Sequence, residues 1–327
     1  MPLSLRRGTV SSVSEEHPGF VRLEVDGRPC VAYPELTGPV GEGDEVLVNV
    51  QAVELGLGSG GFDVLYANLT RGLGLGAEPG AHVMVLPYAP GQFAVRHVEE
   101  DDELAESLGG MPVVCCTLHS QLAPACAGLG KGMRVAYVQL AGGALPVALS
   151  DAVRALKQAR LLEVAVGVAP CFGGDRQAVG VAGALLWAAA DGFDAVVCAI
   201  GPGIVGTGSA FGHGGVAAAE AANAAAALNG EAVIAVRVSF GDERKRHQGV
   251  SHHTRAVLEL LVVERAVAWP AGLERPDWLE VEEIAVDDWR DECGALPLEH
   301  MGRGPDDDPW FFAAAFAAGR LAREQVN

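Results

Sequence analysis

Between Gly241 and Thr254 the chain reads GDERKRHQGVSHHT, which packs two acids, three basic residues, three histidines, a serine and a threonine into fourteen positions. Arginine offers a planar fork of donors that matches carboxylate and phosphate oxygens, so Arg244 and Arg246, with His247 beside them, form a candidate clamp for a small anion. Asp242 and Glu243 offer the competing outcome, a solvated salt-bridged loop. Ser251 has the type and place of an N-cap. It would put His252 and His253 in a helix's first turn, where the dipole favours neutral imidazole suited to acid–base work.

Other chemistry-bearing residues follow apolar runs elsewhere: His119 and Ser120 after PVVCCTL, Asp175 and Arg176 within PCFGGDRQ, and GPGIVGTGSAFGHGG from Gly201 to Gly215. The last formally matches GxGxxG, yet Gly206 is followed by more loop instead of a helix, and no acid stands at the dinucleotide spacing. Gly130-Lys131 is followed by Gly132, so a P-loop also fails. Two readings of the loop remain. In one, Gly201, Gly203, Gly206, Thr207 and Gly208 hold an anion through backbone and hydroxyl donors ahead of a helix near Val216. In the other, the glycines serve tight turns and close packing.

A divalent metal held by His119, His247, His252 and Asp175, with His213 and Asp242 as further candidates, is a third possibility for the site. There is no HExxH spacing or Cys/His quartet, and neighbours on a helix diverge by about 100°, which makes His252 and His253 an awkward pair for one ion. The cofactor is otherwise open. Ser120 beside His119 and Ser251 before His252 lack the GxSxG elbow of a serine nucleophile.

These residues need elements to position them. From Pro112, apolar runs alternate with alanine-rich segments: expected strands at Pro112–Leu118, Arg134–Gln139, Leu162–Val168, Ala195–Ile200, Ala232–Val238 and Ala266–Trp269, expected helices at Leu145–Arg160, Gln177–Ala190, Val216–Leu228 and His252–Leu261. Strict alternation predicts an α/β fold, an open, mostly parallel sheet with helices on both faces, whose ligands bind beyond the carboxyl ends of the strands. Residues 1–70 read as short period-2 strands with an Asp26-Gly27 turn, a small OB-like β-barrel lacking the interleaved aromatic and basic residues of nucleic-acid barrels. Residues 71–110 connect the two and end in the acidic VEEDDELAE, read as a solvated helix start. The α/β domain spans 111–270. A C-terminal extension, 271–327, ends in a helix opened by Asp308-Pro309, with Trp310, Phe311, Phe312 and Phe316 packing on the α/β domain.

Composition narrows the function classes. Half of the 327 residues are hydrophobic, enough for a substantial core, and a formal net charge of −19 opposes binding to nucleic acid or an anionic membrane. Seven cysteines form no CxxC pair, which points to a reducing compartment, and no apolar leader or span is evident, so a cytoplasmic protein is expected. The alanine- and glycine-rich helical faces are compatible with a homodimer.

The segments VVCCTLHSQLAP, CFGGDRQAV, GPGIVGTGSAFGHGG, RVSFGDERKRHQGVSHHT and MGRGPDDDPWFF together resemble a bacterial family catalogued as domain of unknown function 3866. The resemblance runs from HVMVLPYAPGQ at His82 to the end and implies no activity. Against the family's pattern the chain carries Val85, Pro87, Leu140, Ala141 and Gln177 where polar or charged residues are usual. Were those positions catalytic, this chain would bind a ligand without turning it over. The leading expectation is an enzyme for a small anionic, phosphorylated or carboxylate, molecule, with His252 or His253 as acid or base and His119 and Asp175 opposite. The alternative is a non-catalytic sensor or assembly protein using the same pocket.

Overall fold

Asp26 and Gly27 both adopt positive φ, 52° and 72°, the backbone of a type I′ turn, whose twist matches the strands it joins. That hairpin links β2 (Phe20–Val25) to β3 (Arg28–Ala32). With β1 (Leu5–His17), β4 (Glu45–Asn49) and β5 (Asp63–Asn68) they close a barrel in the order β1-β2-β3-β5-β4. The length of β1 lets it pair with β2 along one half and β4 along the other, curling at register shifts after Val10 and Val13. Alternate residues such as Val21, Leu23 and Val25 fill the interior. Short helical turns α1 (Pro34–Thr37) and α2 (Gln51–Glu54) and a hairpin of β6 (Val83–Val85) and β7 (Phe93–Val95) complete this unit.

In this computed structural model, residues 3–56, 61–72 and 74–326 are described, and the chain divides into two units, Met1–Arg96 and His97–Asn327.

The second unit opens with α3 (Val98–Asp101), which lies in the acidic run. That run is not wholly solvated: Val98 is buried, and Glu99 accepts hydrogen bonds from the backbone N–H groups of Val179 and Gly180. The sheet is formed by β8 (Pro112–Cys116), β9 (Val135–Leu140), β10 (Val164–Val168), β11 (Arg176–Ala178), β12 (Ala195–Ile200) and β13 (Glu231–Ala235). After a two-stranded ribbon, β14 (Val238–Ser239) with β15 (Gly249–Val250), come β16 (Ala266–Pro270) and β17 (Glu282–Ile284). Eight strands lie in the order β11-β10-β9-β12-β8-β13-β16-β17, and all neighbours are parallel. Continuous apolar runs suit such strands because both faces are covered: in β8, Val114 and Cys116 enter one core while Val113 and Cys115 enter the other.

The helices are α4 (Leu122–Leu129), α5 (Asp151–Gln158), α6 (Val181–Ala190), α7 (Ala217–Ala227), α8 (His252–Leu260), α9 (Trp289–Cys293) and α10 (Pro309–Glu324). α4, α5, α9 and α10 feed the first core, and α6, α7 and α8 the second. α4 and α10 cross very closely: a Cβ on Gly128 would fall 2.2 Å from Phe316 O, and one on Gly319 1.9 Å from Ala125 O.

One expectation is corrected here. Residues 176–178 are an edge strand, and the helix expected from Gln177 begins at Val181, where the Glu99 carboxylate meets its entry. The acidic stretch after Pro270 contributes an eighth strand, β17, and α9.

The order of the strands positions the site. The chain runs outward from β8 through β9 and β10 to β11, then returns to place β12 and β13 on either side of β8. Connections therefore leave β8 toward one face and its two neighbours toward the other, which opens a crevice at their carboxyl ends.

Candidate functional site

Arg237 follows β13 and is fully buried at 2% exposure, so its charge must be paired and its N–H groups matched. Its Nη1 donates to His253 Nδ1 (2.9 Å), and its Nη2 donates to His300 Nε2 (3.2 Å) and to Asp242 Oδ2 (3.4 Å). Asp242 is buried too and draws in two more guanidiniums: Arg244 grips it through two bonds (2.9 and 2.7 Å), and Arg303 reaches Oδ2 at 3.3 Å. Burial alone would raise this carboxyl's pKa, but the hydrogen bonds and charge of Arg244 hold it well below the usual carboxylate range. Burial in turn pulls Arg237 down to about 9. Asp308 stands at the N-cap position of α10, as the sequence suggests, yet its carboxylate turns to Ser239 Oγ and the N–H groups of Phe240 and Gly241.

Four imidazoles gather beside this network. The His213 and His253 rings stack with centroids 3.9 Å apart. His252 lies 4.4 Å from His253 and 5.2 Å from His213, and His247 lies 4.8 Å from His252. Ser251 caps α8 as expected, accepting from His253 N (3.2 Å), and its hydroxyl also meets His247 Nδ1 at 2.8 Å. Burial first, then the charges of neighbouring groups, lowers the pKa of every member: His247 to about 3, His252 to about 4, His253 and His213 also downward. The same causes bring His300 to about 3. At neutral pH the cluster is therefore uncharged. Three buried atoms in it have no hydrogen-bond partner among the described residues: His213 Nδ1, His252 Nε2 and Arg237 Nε. Each such atom costs about 1–3 kcal/mol unless something meets it.

The glycine loop delivers His213. Gly206 bridges to His213 in an antiparallel pair, and Thr207 N donates to Gly212 O. Its glycines serve mainly close approach and turning: a Cβ on Gly201 would lie 2.0 Å from Ala144 O, one on Gly214 2.0 Å from Gly142 O, and Gly203 sits at φ +70°. Thr207 Oγ1 is engaged with Gly212 O and Ser209 Oγ inside the loop, while Gly208 has open space around its Cα.

Of the residues singled out by sequence, His247, His252 and His253 meet in one place, and Arg244 joins them through Asp242. Arg246 is exposed, has no ion pair among the described residues, and lies near enough for its charge to depress His252. His119 is otherwise engaged. Its Nδ1 donates to Ile200 O (3.2 Å) and its Nε2 accepts from Ser150 Oγ (2.7 Å), with Tyr137 edge-on, so both nitrogens are used. Asp175 is not brought to this edge. After the cis Ala169-Pro170 bond the chain turns back, and Asp175 accepts from Ala165 N near the start of β10 while pairing with Lys157. The proposed acid–base role of His119 and Asp175 opposite the cluster is thereby corrected, because one is saturated and the other lies toward the amino ends of the strands.

Sequence reasoning passed over Arg237, His300, Arg303 and Asp308 as site residues, and weighed His213 only as a metal ligand. The signal for Arg237 is a lone arginine inside the apolar AVIAVRVSF, where a buried charge demands partners. Nothing comparable marks His300.

The metal reading changes its ligands. His213, His252 and His253 each place a ring nitrogen within 4.8 Å of the others, and the adjacent pair on α8 does converge because His252 opens the helix. His119 has both nitrogens engaged, and Asp175 lies toward the amino end of β10, so neither joins this set. The electrostatics oppose a cation: an arginine that only donates occupies His253 Nδ1, so the proton of that neutral ring is on Nε2, the reverse of a metal-bound histidine backed by a carboxylate or carbonyl. Four guanidiniums (Arg237, Arg244, Arg246, Arg303) act on the network against two carboxylates (Asp242, Asp308). The residues suit an anion better.

Ser120 Oγ lies 3.1 Å from His300 Nδ1, but Arg237 donates to the other nitrogen, which leaves the proton on Nδ1 pointing at the hydroxyl. His300 cannot act as a base toward Ser120 in that state. Among the described residues no helix is long and apolar enough to cross a membrane. No curated protein and no solved structure matches the chain. From residue 29 to residue 319 it does match the family model described as protein of unknown function (DUF3866), and with most of its 327 residues inside that span the chain belongs to this family.

Proposed function

We propose that the second unit is a small-molecule enzyme that binds an anionic, phosphorylated or carboxylate, ligand at the carboxyl edge of its sheet, with His252 as the proton-transferring group. The supporting observation is the company kept by the neutral imidazoles: they are buried among arginines, and His213 Nδ1, His252 Nε2 and Arg237 Nε lack partners among the described residues. Burial first, and then neighbouring positive charge that includes Arg246, Arg237 and Arg244, lowers the His252 pKa to about 4, so an incoming anion would cancel the charge contribution and raise it. Ligand and proton would then arrive together. Arg246, exposed and unpaired among the described residues, is the first contact, and Arg237 the inner one.

The sensor alternative rests on the departures at Val85, Pro87, Leu140, Ala141 and Gln177. Of those in the second unit, Leu140, Ala141 and Gln177, none shares a hydrogen bond or ring contact with the cluster among the described residues; Gln177, for example, donates to Cys171 O. Enzyme therefore stays ahead of sensor. All seven cysteines are buried and free, which supports the reducing, cytoplasmic setting, and a homodimer stays part of the proposal on the alanine- and glycine-rich helical faces.

Thermal unfolding of the full chain with inorganic phosphate, sugar phosphates and small carboxylates tests this. Stabilisation of the wild type that is lost in Arg246→Ala and in His252→Asn is expected. Absence of stabilisation by every anion would overturn the proposal.

A further inference from the structure

The inward-facing positions of the N-terminal barrel turn from apolar to charged at one end. By the two-residue repeat of a strand, the face of β1 that carries Val10 also carries Arg6, the face of β3 that carries Cys30 also carries Arg28, and the face of β5 that carries Leu65 also carries Asp63. β1 and β3 each run antiparallel to β2, and β5 runs parallel to β3, so these three strands start at the same mouth. A cavity of about 510 Å³ opens there, lined by these three residues, by Glu54 of α2 and by the apolar Leu5, Val50 and Val53. A barrel this narrow is normally closed by its own side chains, and the space left suits a small molecule.

The charges around this mouth are only half matched. Arg6 donates through Nη2 to Asp63 Oδ2 (3.1 Å) and through Nη1 to Asp26 Oδ2 (2.9 Å). Asp63 is 4% exposed, and its Oδ1 is a buried oxygen with no partner among the described residues. Glu54 Oε2 accepts from Ser4 Oγ (2.7 Å), while its other oxygen and the whole Arg28 guanidinium make no hydrogen bond or ion pair among the described residues. Arg28 and Glu54 thus line one cavity with opposite charges and do not pair with each other. With Arg6 and Arg28 against Asp63 and Glu54 the lining is electrically balanced, and the chain's net charge of −19 opposes a bare anion. An ion of one sign would leave Arg28 or Glu54 unmatched. A molecule bearing both signs meets both: its carboxylate accepts from the Arg28 fork, its ammonium donates to Glu54, and its hydrocarbon part rests on Leu5, Val50 and Val53. We infer that the mouth of the barrel binds a small zwitterion, an ammonium and a carboxylate on a short aliphatic skeleton, which is the chemistry of a free aliphatic amino acid. This site shares no residue with the anion site of the second unit, and either can fail without the other.

Titration calorimetry of the full chain with valine, and with isovalerate and isobutylamine, which each keep one of its two charges, tests the inference. Valine is expected to bind at least about tenfold more tightly than either analogue. Arg28→Ala and Glu54→Gln, both at exposed positions, should each weaken valine binding by about tenfold or more while the unfolding temperature of the ligand-free protein stays unchanged. Arg246→Ala, in the second unit, should leave valine binding as in the wild type. Either analogue binding as tightly as valine, or valine binding untouched by Arg28→Ala, would overturn the zwitterion site and leave the anion proposal standing. Absence of binding by all three probes would overturn it as well.

Discussion

A single histidine, His119, and a cluster of four sit at the same sheet edge and differ in one respect. His119 has a partner for each nitrogen, Ile200 O and Ser150 Oγ, and nothing is left over. In the cluster of His213, His247, His252 and His253, protein partners fix the outer nitrogens of His213 and His253, while His213 Nδ1 and His252 Nε2 are left without any among the described residues. Burial and lowered pKa are common to both, so neither distinguishes a structural histidine from one prepared for a ligand. The account of partners does.

The largest expected effect comes from the charge network that holds the cluster and has no counterpart around His119. Asp242→Ala leaves Arg237, Arg244 and Arg303 without their shared carboxylate and should cost about 3–5 kcal/mol, lowering the unfolding temperature by on the order of 10 °C. A loss under about 1 kcal/mol would show that the arginines repack without it.

Acid should affect both groups together. His119 and His252 sit near 4 and His247 and His300 near 3, below the ordinary 6.5, so the unfolded chain takes up protons that the native chain refuses. Their contribution to stability is complete above about 6.5 and declines as pH falls from there toward 4 and 3. Unfolding temperatures measured from about pH 7.5 to 4.5 should fall, and His119→Gln should flatten the slope; a flat wild-type profile contradicts the neutral imidazoles.

Ser150→Ala removes the cap of α5 and the hydroxyl that His119 accepts from, an expected loss of about 1–3 kcal/mol with anion binding unaffected. If anion binding falls with it, His119 belongs to the site after all. The glycines sharpen the contrast further. Gly201→Ala drives a methyl into Ala144 O and should cost about 1–3 kcal/mol, whereas Gly208→Ala should stay within about 0.5. Smallest of all is His252→Asn: removing an unpartnered nitrogen should leave stability unchanged or slightly raised while anion binding is lost, the usual signature of a residue kept for function. A destabilisation as large as that of Ser150→Ala would make His252 structural.

Much of the fold was legible because it rests on local properties of the chain. Fully apolar runs such as PVVCC and AVVCAI mark strands covered on both faces, the Asp26-Gly27 pair codes for a hairpin turn, and Ser251 caps α8 in the place its type predicts. The address of the site at the carboxyl edge follows from the same alternation of strand and helix. His252 and His253 could be named, since a cap and a helix's first turn are short-range features.

Who meets them was settled only by the tertiary structure. Placing β12 and β13 on either side of β8 brings His213 from one loop beside His253 from another, and the C-terminal segment returns to set His300 against Arg237, 63 residues away in sequence. The same path sends Asp175 to the far end of β10 and spends both nitrogens of His119 on the scaffold. The residue types capable of chemistry are written locally, but whether a polar atom is satisfied depends on partners that only the strand order brings within reach, and that is what separates the site from the core here.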